Sequence, residues 1–67
     1  MHEKKLHYAY ASSPDADKYG CKNGCWKILV GETLVAVIDH ADRAQAVRYF
    51  ESLPYPVSSD SLAVEAR

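Results

Sequence analysis

Two apolar runs rich in β-branched residues, Cys25-Trp26-Lys27-Ile28-Leu29-Val30 and Thr33-Leu34-Val35-Ala36-Val37-Ile38, stand on either side of Gly31-Glu32. Val and Ile suit pleated backbone. A Gly-X pair between two such runs signals a hairpin, because Gly accepts the positive φ of the first turn position. An antiparallel ribbon is therefore expected over 25–38. A two-residue loop pairs Val30 with Thr33, Ile28 with Val35 and Trp26 with Val37. One face then carries Trp26, Ile28, Val30, Val35 and Val37, and the other Lys27, Leu29, Leu34, Ala36 and Ile38. A three-residue loop shifts the partners by one and changes the faces. In either register both faces carry large apolar side chains, and one helix covers only one of them.

Three further stretches complete the chain. Leu6, Tyr8 and Tyr10 alternate with His7 and Ala9, which is strand spacing over 6–11. Ser12-Ser13-Pro14-Asp15, Gly20 and Asn23-Gly24 are turn formers, so 12–24 reads as one long loop. Ala46, Val47, Phe50 and Leu53 recur at helical spacing within 40–53. Asp39 is placed to cap that helix, Asp42 lies in its first turn, and Pro54 and Pro56 stop it. The fold expected is α+β: a three-stranded antiparallel sheet with one main helix packed on one face. The tail, 57–67, is open. Ser58-Ser59-Asp60 could cap a short helix holding Leu62 and Ala66, while Leu62, Val64 and Ala66 also alternate as a strand would. A short helix or an irregular tail is the favoured reading.

A chain of 67 residues makes a single domain, 1–67. One core of this size supplies roughly 3–5 kcal/mol, too little to build an enclosed active site behind several layers of support. Eight basic against nine acidic residues give a net charge of −1, which argues against direct nucleic-acid binding driven by phosphate neutralisation. Residues 1–33 hold five basic and four acidic side chains and 34–67 hold three and five, so the polarity is slight. No apolar run approaches the ~20 residues of a membrane span. The charged start, Met1-His2-Glu3-Lys4-Lys5, is unlike a signal peptide, and a cytoplasmic location is expected.

Cys21-Lys22-Asn23-Gly24-Cys25 is the one site-like motif. Plain loop thiols are the leading reading. A disulfide across the Asn23-Gly24 turn and a metal site are the rivals, the latter needing ligands from His2, His7 or His40 at no diagnostic spacing. Asp39 and Asp42 are explained by capping. No nucleophile elbow, phosphate loop or His-Glu-x-x-His is present, so no catalytic residue and no cofactor is assigned. Five tyrosines and one tryptophan are a high aromatic load. Tyr8, Tyr10 and Trp26 belong with the sheet. Tyr19, Tyr49 and Tyr55 are less buried and of a type enriched at protein interfaces.

Residues 26–38 followed by Asp42-Arg43-Ala44-Gln45-Ala46-Val47-Arg48-Tyr49-Phe50 resemble small phage and mobile-element proteins, in which a Trp-led hairpin with a Gly turn runs into an Arg-Ala-x-Ala helix. Size, charge balance and the sheet-plus-helix plan are similar to the anti-CRISPR proteins and other small phage inhibitors of host defence. That resemblance implies a non-enzymatic protein-binding module that sterically occupies a larger protein or ribonucleoprotein complex, in the host cytoplasm if phage-encoded. The net charge lies nearer neutral than in strongly acidic mimics of nucleic acid. Exposure and side-chain type nominate Tyr19, Lys22, Arg43, Arg48, Tyr49 and Glu51 as partner contacts. Two alternatives stand: a metal-stabilised nucleic-acid-binding module using Cys21 and Cys25, and a structural subunit that forms a homodimer through the second sheet face.

Overall fold

In the computed structural model, which describes residues 2–62, strand β2 (Cys25–Val30) turns at Gly31-Glu32 into strand β3 (Thr33–Asp39). Gly31 takes φ +63°, and among the described residues no non-glycine has positive φ, which is the type II′ arrangement that suits two twisted strands. Strand β1 (Lys4–Ala9) pairs antiparallel with β2, giving the sheet order β1-β2-β3. Helix α2 (Arg43–Ser52) follows β3, so the chain is α+β with three antiparallel strands and one main helix on one face.

The hairpin register departs from the simple two-residue reading after two pairs. Val30 faces Thr33 and Leu29 faces Leu34, but then Ile28 faces Ala36, Lys27 faces Val37 and Trp26 faces Ile38. Val35 is the extra residue of a bulge between them. One inserted residue exchanges the faces of everything beyond it. Ala36 and Ile38 therefore join Trp26 and Ile28 over α2, whereas Val37 turns to the other face. Packing explains the choice: the bulge puts Ile38 and Ala36 beside Leu6, Ala46 and Phe50 and leaves Val35 at the rim.

The expected loop over 12–24 contains a second, short helix, α1 (Pro14–Lys18). Its start is written in the sequence. Ser13 Oγ accepts from the Ala16 amide at 3.2 Å, Pro14 needs no amide partner, and Asp15 and Asp17 oppose the helix dipole. Its end is a Schellman closure, with the Cys21 amide donating to the Ala16 carbonyl at 2.8 Å and the Gly20 amide to that of Asp17 at 3.2 Å. Through Ala16 this helix covers one end of the second sheet face, packing on Ala9, Cys21 and Cys25, with Tyr19 and Val37 alongside. That answers the two-faced ribbon: a helix lies on each side.

Lys27 of β2 forms an ion pair with Asp15 of α1, and this contact is the main cause holding the Asp15 carboxyl below its usual range. The folded protein thus holds the Asp15 proton more weakly than the unfolded chain does. The pair stabilises at neutral pH, and its contribution is lost as pH falls through the carboxylate range. Asp15 is well exposed, so the effect is small. Asp15→Asn is expected to lower the melting temperature slightly near neutral pH and to change nothing in acid; equal losses at both would show the ion pair irrelevant.

Tyr10, expected in the sheet, lies past the end of β1 and is 66% exposed, edge-on to the Tyr8 ring at 4.9 Å. Asp39 caps a short 3₁₀ turn (His40–Asp42) rather than α2 itself, accepting from the Ala41 amide at 3.0 Å, so α2 begins one turn later than expected. Leu53 is extended, as the residue before a proline must be, and α2 stops there. From Pro56 the chain runs beside β1. The Lys4 amide donates to the Pro56 carbonyl, the Ser58 amide to that of Lys4 and the Leu62 amide to that of Leu6, all at 2.7–2.8 Å. Irregular structure is thus found over 57–62. The helix or strand pattern through Val64 and Ala66 falls outside the described residues.

A candidate protein-binding groove

The bulge and the proline-flanked exit from α2 together shape a groove. It is lined by His2, Val30, Thr33 and Val35 on the hairpin side, by Tyr49 of α2, and by Leu53 and Tyr55 in the segment that follows the helix. Its volume is about 300 Å³, room for one or two side chains. Val35, Tyr49 and Tyr55 are each 39% exposed there. Three large apolar groups left in water around one concavity are unusual in so small a surface. Each has a local cause. The bulge tips Val35 out of the ladder, Tyr49 lies on the flank of α2 rather than its core stripe of Ala46, Phe50 and Leu53, and Tyr55 is held between two prolines.

Beside the groove runs the outer edge of β3. The Lys4–Leu6 part of the β1 edge is covered by residues 56–62, whereas among the described residues no backbone bond reaches the outer side of β3. An extended edge with apolar side chains is a surface on which another chain can add a strand.

The six nominated contact residues do not form one patch. Tyr49 lines the groove. Arg48 and Glu51 are exposed on α2 away from the sheet, and Arg43 is half-buried at the helix start. Tyr19 and Lys22 belong to the other side of the sheet. Tyr19 caps α1, half-buried, with the Lys18 ammonium 5.6 Å from its ring centre; Lys22 is exposed in the turn before β2. Val35 was missed, and Tyr55, read as an interface-type tyrosine, was left out of the six nominated contacts. Val35 becomes exposed only through the bulge, which strict alternation does not reveal. Tyr55 could have been nominated from its Pro-Tyr-Pro setting, which holds a side chain out on extended backbone.

Cys21 and Cys25 are both free and buried in the α1 layer. Burial first, then hydrogen bonding with Cys21, pushes the Cys25 thiol up to about 11. Among the described residues no group of three or more His, Cys, Asp and Glu side chains is placed to hold a metal ion. No helix among them is long and apolar enough to cross a membrane. Set against known families, curated proteins and solved structures, the chain matches none.

Proposed function

We propose that this chain is a non-enzymatic protein-binding module that works by sterically occupying a surface of a larger complex. The observation that carries the reading is the cluster of Val35, Tyr49 and Tyr55, exposed around one groove beside the uncovered β3 edge. Tyrosine suits this role because it brings large contact area with few rotatable bonds. The partner chemistry that fits is an extended segment that adds to β3 and seats an apolar side chain between Tyr49 and Tyr55. The likeness of the hairpin and helix to small phage inhibitors makes a host protein or ribonucleoprotein complex the class to try first.

The test is to capture the partner on the immobilised protein, identify it by mass spectrometry, and titrate it with variants. Tyr49→Ala is expected to weaken binding by about tenfold or more, because a central aromatic contact is worth roughly 2 kcal/mol. Its melting temperature should stay close to that of the parent, since Tyr49 stands outside the buried cluster. Arg48→Glu, on the outward face of α2, is expected to weaken binding less. Unchanged affinity in both variants would place the contacts elsewhere.

A further inference from the structure

On the opposite side of the sheet, independent of the groove, the α1 layer holds two thiols of unequal access. Cys21 is 8% exposed and lines a depression of about 350 Å³ together with Ala11, Ala16, Asp17, Gly20 and Lys22. Cys25 is 0% exposed and does not reach that depression. Both pack in one cluster with Ala9 and Ala16. The backbone fixes their relation. The Schellman closure of α1 places Cys21, and the Gly24 amide donating to the Cys21 carbonyl at 3.0 Å turns the chain back so that β2 starts with Cys25 beneath it. An outer thiol therefore stands between solvent and an inner one.

We infer that Cys21 is a modification site for a low-molecular-weight disulfide of the glutathione class, and that Cys25 is the resolving thiol which closes the pair to an internal disulfide. In the first exchange the Cys21 sulfur attacks one sulfur of oxidised glutathione; the S–S bond breaks, and the Cys21 proton leaves with the released glutathione thiol. In the second, Cys25 attacks the Cys21 sulfur from the inner side. The bond to glutathione breaks outward, and the Cys25 proton leaves with the second glutathione. The two cysteines lose two electrons and two protons, and one oxidised glutathione becomes two reduced ones. The rim of the depression offers the Lys22 ammonium to the carboxylates of that tripeptide and the Asp17 carboxylate to its amino group.

The inner step is the slow one. Cys25 is kept protonated at neutral pH by burial and then by Cys21, against a smaller opposing pull from Lys27 and with a still smaller push from Asp15. Closure is expected to speed up by about tenfold per pH unit above neutrality as its thiolate fraction grows.

The full chain is equilibrated with glutathione buffers of rising oxidised fraction, quenched in acid, alkylated and weighed. The expected product is two hydrogens lighter, resists alkylation and reverts in excess reduced glutathione. Cys25→Ser is expected to accumulate one glutathione on Cys21, and Cys21→Ser to leave Cys25 unmodified in the folded protein. Should a serine variant fail to fold, peptide mapping of the partly labelled parent protein still decides the order of attack. Two alkylatable thiols in the most oxidising buffer would overturn the inference, as would labelling of Cys25 before Cys21 or a product made of disulfide-linked dimers.

Discussion

Gly24→Ala is expected to remove most of the protein's stability. A β-carbon at position 24 would stand 2.3 Å from the Tyr8 hydroxyl oxygen, 2.8 Å from its ring Cζ and 2.7 Å from the Ala9 carbonyl oxygen. None of these can retreat cheaply. The Ala9 backbone is held in the ladder opposite Cys25. The Tyr8 ring packs at a tilt 4.7 Å from the Trp26 ring, and its hydroxyl donates to the Asn23 carbonyl at 3.0 Å and hydrogen-bonds with His40 Nδ1 at 3.2 Å. The φ of +92° adds backbone strain that an L side chain pays in full. Left-handed backbone costs about 1–2 kcal/mol and overpacking against fixed neighbours about 1–3 kcal/mol more. Against a total of roughly 3–5 kcal/mol, little stability is left. Urea unfolding followed by tryptophan fluorescence reads the outcome. A midpoint close to the parent's would show that the turn at 21–24 is not the fixed support described here.

Lys4→Met is expected to cost about 2–3 kcal/mol, the worth of hydrogen bonds made by a charged donor. Lys4 is 7% exposed, and its ammonium donates to the carbonyls of Phe50 at 2.9 Å, Leu53 at 3.0 Å and Glu51 at 3.5 Å, with the Phe50 ring centre 4.9 Å away. Phe50 and Glu51 lie in the last turn of α2, where i+4 amide donors run out, and Leu53 is the capping residue whose own amide reaches Phe50 at 3.3 Å. The negative end of the helix dipole lies there too, so the cation takes the place of a helix-capping residue. Methionine keeps the stem and the fit and removes only the donor. For a domain of this length each kcal/mol moves the melting temperature by about 4–8 °C, so a fall of roughly 10–20 °C is expected. Lys4→Arg should recover only part of it, because a planar fork does not converge on three carbonyls as an ammonium does. A loss of under 1 kcal/mol in the methionine variant would mean that water caps the helix as well as Lys4 does.

Much of this architecture was legible in the chain. The Gly31 reversal, the β-branched runs around it and the spacing of Ala46, Val47, Phe50 and Leu53 are local signals, and each led to the element found. What escaped depends on contacts distant in sequence. The bulge at Val35 follows from how Ala36 and Ile38 meet α2, and no two-residue periodicity contains that information. Helix α1 was signalled by Ser13-Pro14-Asp15, but those residues also make turns, and five residues of helix are stable only on the Ala9-Cys25 surface that burial of Ala16 completes. Lys4 read only as part of a charged start; the fold alone brings it within reach of residues more than forty positions away. Of the groove, Tyr49 and Tyr55 were visible in the sequence as interface-type tyrosines, whereas Val35 was not, because exposure created by a bulge is decided by packing.

The segment 56–62 bonds along β1. Fibril growth needs two open borders on every subunit, one to receive and one to offer. Here residues 56–62 occupy the Lys4–Leu6 part of one border. Strand addition at the other is therefore self-limiting: a single guest, or one sister molecule meeting it head-on, exhausts the capacity.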